Sequence, residues 1–582
     1  IIEIYKTQGA DNYNYYDTDW KDLVLKDSGF QQSHSVSVSG GTKLLNVFAN
    51  AGYYYQNGII PNNSFSRATL RLNTDMQVRK WLKVGVDAHI RQATAIRPSQ
   101  DSAAGIIGSI LTMTPITSAL NDDGTYGYGR TGYNPLAIVN DGGTRKDVAP
   151  EVTFRAFAEL TPLEGLYLKA DYTRRQVNSE GAVFIRPYDT YEGGRFMMTY
   201  PSTSNNGTRQ EERTKTVNQQ FIAQASYEKT IERNYFKVMG VFQAEKLDYN
   251  YLLASRQNFQ YDGYEDLMHG DATTAGNSSN RYELAQLSYV YRVNYSYDNR
   301  YLIELNGRYD GTSRFRRGNR WQWSPSFSLG WNIAQEKFWQ PIQNVANLLK
   351  LRFSYGQLGN QNTNQWYPTY RTMTLGILDG GWLQNGTKPN TAKVGDLIST
   401  VLTWEKVRTW DIGLDYGLFN NRLTGSFDYF IRYTKDMVGD APELPLTLGV
   451  KAPQTNNCDL KTKGWEVSLA WRDRLKNGLN YGVSVSLSDQ QTYIDSYPSN
   501  KTGSLTSGSS NTGIKWSYIA GQKINQIWGF ETIGIAKTQA EMDAHIASLP
   551  NGGQSAIGTQ WGAGDIMYKD LNGDGKISTG AN

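Results

Sequence analysis

A single cysteine, Cys458, stands in 582 residues, so the chain has no internal disulfide framework. It also lacks any apolar run near the roughly 18 residues that a membrane-crossing helix requires. Histidine is scarce: His34, His89, His269 and His545 lie far apart, and none has the spacing of a zinc ligand set. No nucleophile elbow or paired-carboxylate motif stands out, which leaves enzyme chemistry without a positive sign. The net charge is only +4, too little in so long a chain to argue for nucleic acid as a partner. The opening stretch, Ile1 to Trp20, has neither the basic nor the apolar segment of a signal peptide.

What the chain does have is aromatic residues in a polar background. Aromatics make up 13% of it, with 39 Tyr and 15 Trp, and glycine is abundant at 57, yet the mean hydropathy is −0.56. Such a composition fits strands that alternate between lipid and water. The alternation is plain at 301–331. Tyr301, Ile303, Leu305, Gly307 and Tyr309 fall on one face, and Leu302, Glu304, Asn306 and Arg308 on the other. After an arginine-rich connection, Trp323, Pro325, Phe327, Leu329 and Trp331 oppose Ser324, Ser326, Ser328 and Gly330. A period of two is that of a pleated strand, and two such runs joined by a polar loop make an antiparallel hairpin.

The same pattern predicts about sixteen strands, with boundaries uncertain by a few residues. They fall near 33–39, 44–55, 65–78, 82–93, 150–160, 165–176, 217–230, 235–247, 281–298, 301–311, 322–333, 350–357, 408–418, 422–433, 462–474 and 479–488. Connections alternate between short (such as 79–81, 162–164 and 231–234) and long (94–149, 177–216, 358–407). The connection near 334–349 is the one turn on the short side that runs long. Short turns on one end and long loops on the other are the mark of an up-and-down barrel in an outer membrane. A β-propeller would show a repeat of about 40–50 residues, and there is none. The expected fold class is therefore all-β, a large antiparallel transmembrane β-barrel.

Specific words in the sequence then match a family. The run from Asp19-Trp20 through His34-Ser35-Val36-Ser37-Val38-Ser39-Gly40-Gly41 resembles the lead-in to the barrel of SusC-like TonB-dependent transporters, the RagA/SusC family. Tyr309-Asp310-Gly311-Thr312-Ser313-Arg314-Phe315, then Asn319-Arg320-Trp321, is similar to their central hairpin. Leu351-Arg352-Phe353-Ser354-Tyr355-Gly356-Gln357-Leu358-Gly359-Asn360-Gln361, Lys463-Gly464-Trp465-Glu466 and Gly564-Asp565-Ile566 continue the likeness in order. The resemblance implies an outer-membrane barrel of about 22 strands with an N-terminal plug. It also implies import of a large nutrient, driven by TonB through the plug and capped by a SusD-like surface lipoprotein. The expectation is a middle barrel portion, with about 16–18 strands present and the plug domain absent. Residues 1–32 would connect plug to barrel and 33–582 form the barrel. By resemblance the leading cargo is oligosaccharide. A peptide or metal-chelate (siderophore) importer, a passive porin and a surface β-protein remain open.

Candidate site residues follow from both readings. Glu304, Asn306 and Arg308 are expected to line the lumen. Arg314, Arg316 and Arg317, at a hairpin tip expected outside, could pair lipopolysaccharide phosphates or an acidic substrate, or simply be solvated. Trp366, Tyr367 and Trp382, set among amides, suit stacking on a sugar ring, a peptide, or contact with the lid. Asp570, Asn572 and Asp574, with Gly575, spell the first half of a calcium loop. Position twelve would be Ala581 rather than Glu, which excludes a complete EF-hand. A self-bonded polar turn is the alternative there. No cofactor is required. Gly127, Gly129 and Gly132 form G-x-G-x-x-G, but without a preceding buried strand they read as a loop.

Overall fold

The computed structural model describes residues 16–202, 206–261, 263–361, 363, 365–376, 383–395, 397–439, 447, 453–500, 507–508, 515–516, 518–526 and 529–578. Its main element is a 16-stranded antiparallel sheet whose strands follow one another in chain order. The strands are β1 Gln31–Gly41, β2 Leu45–Asn57, β3 Ser64–Arg79, β4 Leu82–Pro98, β5 Thr144–Leu163, β6 Leu166–Ile185, β7 Thr208–Ile231 and β8 Asn234–Gln257. They continue with β9 Gly276–Tyr297, β10 Tyr301–Thr312, β11 Trp321–Asn332, β12 Ala346–Asn360, β13 Glu405–Leu418, β14 Leu423–Gly439, β15 Thr455–Arg474 and β16 Asn480–Ser496. Each answers one strand expected from the alternation. Many extend further on the long-loop side, so that β7 and β8 run 24 residues each.

The alternation sets the faces. In the β10–β11 hairpin Leu305 lies opposite Phe327, Ile303 opposite Leu329 and Tyr301 opposite Trp331. All of these except Phe327 are exposed although large and apolar. On the other face Glu304 meets Ser328, Asn306 meets Ser326 and Arg308 meets Ser324. An exposed apolar face is costly in water and stabilising in lipid. The bilayer therefore explains the exposed apolar face, and the polar groups collect on the opposite one. Gly307 belongs to the apolar face, and the ring of Tyr291 occupies the space its missing side chain leaves. Tyr309 stacks on Trp321 at 4.7 Å and Tyr355 packs on Trp410 at 4.4 Å, extending the aromatic surface. Among the described residues no helix is long and apolar enough to cross a membrane, which leaves crossing by strands untouched.

Short turns join the strands on one end. At 298–299 both residues are left-handed (φ 53° each) and Arg300 N–H donates to Tyr297 O at 2.8 Å. This backbone twist suits a tight antiparallel hairpin, and Asp and Asn tolerate it best after glycine. The one long connection on this end, 333–345, folds into two 3₁₀ turns, Ile333–Gln335 and Lys337–Ile342.

The chain divides into two compact units, residues 1–226 with 241–287 and residues 227–240 with 288–582. In the first, the long-loop end carries its own small core. Helices Trp20–Val24, Ala103–Thr112 and Pro135–Asn140 bury Trp20, Val24, Ile106, Ile110 and Ile138 together with Tyr188. Asn134 pins this core. Its Oδ1 accepts from Leu136 and Ala137 N–H, capping the short helix, while its Nδ2 donates to Ala119 O and Gly127 O. The Gly127–Gly132 run lies in turns of this loop, as expected, with Gly129 and Gly132 at positive φ. In the second unit a smaller core joins Phe315, Leu402 and Trp404.

Candidate functional site: the polar face and the long loops

The polar face of the first unit is a ladder of compensated charge. Arg155 on β5 bridges Asp87 on β4 at 3.1 Å and Asp171 on β6 at 3.2 Å. Glu151, buried, accepts from Arg91 at 2.7 Å and Arg175 at 2.7 Å. Nearer the short turns Lys83 and Lys169 flank Glu159, and nearer the loops Arg145 joins Asp147 to Glu212. The cause lies in register. Asp87 faces Arg155 and Arg91 faces Glu151 directly across the β4–β5 pair, and opposite charges on facing positions stabilise a sheet.

The polar face of the second unit is built differently. Glu304 Oε1 accepts from Asn306 at 2.6 Å and its Oε2 from Asn294 at 2.5 Å. Arg292 Nε donates to Asn306 Oδ1 at 2.6 Å. Arg308 donates to both Asp310 oxygens, at 2.8 and 2.9 Å, and to Ser288 Oγ at 2.9 Å. Glu304, Asn306 and Arg308 thus share one surface, with Ser324, Ser326, Ser328 and Ser354 beside them, around a groove of about 520 Å³. An adjoining groove of about 570 Å³ runs from Glu304 and Asn294 to Arg352 and Asp411. There Arg352 holds Asp415 at 2.9 Å and Asp428 at 2.8 Å. The alternation had already put Ser324, Ser326 and Ser328 on this face; sequence reasoning missed Asn294, Arg292 and Ser354 as members of the surface. The alternation Val290-Arg292-Asn294 against Tyr291-Val293-Tyr295 carried the signal.

The arginine tip is stitched into the long loops. Arg314 Nη1 donates to Thr363 Oγ1 at 3.1 Å, and its guanidinium lies 4.8 Å from the Trp366 ring centre. Burial lowers its pKa from the ordinary guanidinium value. Arg316 donates to Thr369 O at 3.0 Å and lies 5.8 Å from the Tyr370 ring. Trp404 Nε1 donates to Arg320 O at 2.8 Å, closing the loops over the fully buried Phe315. Arg317 and Tyr367 are exposed, and Trp382 lies outside the described residues.

In the Asp570 loop the carboxylate is turned on its own backbone. Oδ1 accepts from Gly573 N–H and Oδ2 from Gly575 N–H, both at 2.8 Å, and these bonds hold its pKa below the usual range. Asn572 Oδ1 and Asp574 Oδ1 accept from Asp574 and Lys576 N–H at 3.1 Å. Among the described residues no group of three or more His, Cys, Asp or Glu could hold a metal ion.

A wide antiparallel sheet with a lipid face, a polar face, short turns and long loops defines an outer-membrane β-barrel protein. Residues 108–578 match the family model for the TonB dependent receptor-like β-barrel, and the chain belongs to that family. It is 26% identical to the TonB-dependent receptor SusC of Bacteroides thetaiotaomicron over 97% of this chain and 55% of that protein. It is 25% identical to the TonB-dependent receptor P3 of Formosa agariphila over 99% of this chain and 56% of that one. Among solved structures, the RagAB peptide transporter has a similar fold, with a TM-score of 0.75 at 23% identity over 90% of this chain and 56% of that one. The chain spans about half the length of the curated relatives it matches.

Proposed function

We propose that this chain is the barrel wall of an active outer-membrane importer of large, polar nutrients. The observation that carries the reading is the groove-bearing polar face of β9–β12, where serine hydroxyls and amides outnumber charged groups. Hydroxyl and amide groups exchange hydrogen bonds with a sugar without demanding a charge, so oligosaccharide is the leading cargo. A short peptide is the second reading, favoured by Arg292 and Glu304 on the same surface, which suit its two charged ends. Import would draw its energy from TonB through a plug, and a SusD-like surface lipoprotein would cap the long-loop end. Arg317, Tyr367 and Trp382 are the loop residues offered to cargo, lid or lipopolysaccharide. For the Asp570–Gly575 loop the self-bonded turn is favoured over calcium.

Growth of a deletion strain on a panel of glycans and peptides tests the proposal. Loss of growth on one cargo class, restored by the intact gene but not by Ser326→Leu, supports import through this face. Normal growth on every member of the panel sinks it.

A further inference from the structure

The connection 333–345 is the exception in length among the short turns, and it extends a feature several of them share, an exposed large apolar side chain such as Trp81, Leu163 or Phe419. Glu336 ties it to the lipid face: its Oε1 accepts from Tyr301 OH at 2.6 Å and from Trp331 Nε1 at 3.1 Å, and Arg300 lies 3.3 Å from its Oε2. Tyr301 and Trp331 are outward residues of the β10–β11 hairpin. Hydrogen bonding by the tyrosine hydroxyl, with Trp331 and the Arg300 charge adding to it, holds the Glu336 carboxyl below the usual carboxylate range. It therefore stays charged at neutral pH and marks the level where the apolar face meets water.

Beyond this anchor Phe338 is 64% exposed, Ile342 46% and Val345 52%. Trp339 is folded back, its Nε1 donating to Ala346 O at 2.8 Å. Polar residues separate the apolar ones: Lys337, Gln340 and Gln343 are exposed too. Val345 O accepts from Phe419 N–H at 2.6 Å, and Phe419, 46% exposed, packs near Trp471 on the next hairpin. Exposed side chains of this size, spaced along a turn that continues a lipid-facing aromatic band, are costly in water.

We propose that residues 337–345 form an interfacial foot, lying in the phospholipid headgroup layer at the short-turn end, with Phe338, Ile342 and Val345 inserted among the acyl chains. The occupant is lipid rather than a protein partner because the patch is continuous with the lipid-facing girdle through Glu336, Tyr301 and Trp331. Short amphipathic segments bind interfaces in this way, with apolar side chains down and polar ones up.

The test is a cysteine scan of 337–345 in the full-length protein, in a Cys458→Ala background reconstituted in phospholipid vesicles. Each cysteine carries a nitroxide, and collision with oxygen is compared with collision with a water-soluble nickel chelate. Position 305 serves as the lipid reference and position 477 as the water reference. The expected result is oxygen-dominated collision at 338, 342 and 345, approaching position 305, and chelate-dominated collision at 337, 340 and 343. Chelate accessibility at 338, 342 and 345 equal to that at 477 overturns the proposal. So does protection from both reagents, which would mean that protein covers the patch. The positions that decide the result, 337, 338, 340, 342, 343 and 345, carry exposed side chains, and folding of every variant is checked by heat-modifiable gel mobility before the scan is read.

Discussion

The ladder on β4–β6 and the groove on β9–β12 are two solutions to the same problem, a polar face inside a lipid-bounded sheet. In the ladder nearly every charge has an opposite partner on the adjoining strand, as with Arg155 between Asp87 and Asp171. In the groove hydroxyl and amide groups outnumber charged ones, and Glu304 is held by two asparagine amides rather than by a cation. A ladder of satisfied charges is rigid and offers little to a ligand, since its donors and acceptors are already paired. Small hydroxyl side chains leave space and unspent hydrogen-bonding capacity. The first region is built as a wall, and the second keeps the open, uncommitted polar surface that the proposed import requires.

The comparison rests on the two faces being what they are, and its largest test is a single charge placed on each. Leu305→Lys puts an ammonium on the lipid side and is expected to cost about 3 kcal/mol. Ser326→Lys, on the opposite face of the same hairpin, is expected to stay within about 0.5 kcal/mol. Urea titration of the vesicle-inserted protein measures both, and equal costs would abolish the face assignment. Next, Glu151→Ala leaves Arg91 and Arg175 without their shared carboxylate. Both arginines are already partly exposed and can rehydrate, so the expected loss is about 2 kcal/mol, below the roughly 3–5 kcal/mol of a fully buried pair. Arg352→Ala, by contrast, leaves Asp415 and Asp428 facing each other in a wetter setting and is expected to cost about 1 kcal/mol. An Arg352 variant more damaging than the Glu151 variant would reverse the contrast between wall and groove.

The smallest effect is confined to the loop core of the first region. Burial, with a hydrogen bond to Asp141, pushes the Tyr126 hydroxyl up to about 12. A raised pKa favours the protonated, folded form. The contribution is full below the ordinary tyrosine value near 10 and is lost as the pH rises from there toward 12. Proteolysis of the 99–143 loop should therefore accelerate across that window while the sheet stays intact. A flat profile would show that Tyr126 ionises freely.

Much of this was legible in the sequence because a bilayer imposes a strict rule on each residue. Where a strand crosses lipid, one face must be apolar, and the period of two appears, as in Tyr301-Ile303-Leu305 against Glu304-Asn306-Arg308. The strand ends were not legible for the same reason. Thr208–Ile231 reads as a strand only from about 217, because above the lipid both faces meet water and alternation has no cause. The side-chain partnerships were hidden further still. Arg314 finds Thr363 and Trp366 about fifty residues away, through a fold of two loops that no local pattern encodes. The tip read as a free cationic cluster because charge is visible in a sequence and burial is not.

The length of β7 and β8 sets how far the sheet rises from the bilayer at the long-loop end. Twenty-four residues of pleated strand measure about 80 Å, of which a tilted crossing uses only about 9–11 residues. The remainder, inclined at about 45°, carries the strand ends at Thr208 and Gln257 roughly 30 Å beyond the hydrocarbon. A two-stranded ribbon of that height lifts the adjoining long-loop segments well above the headgroup layer.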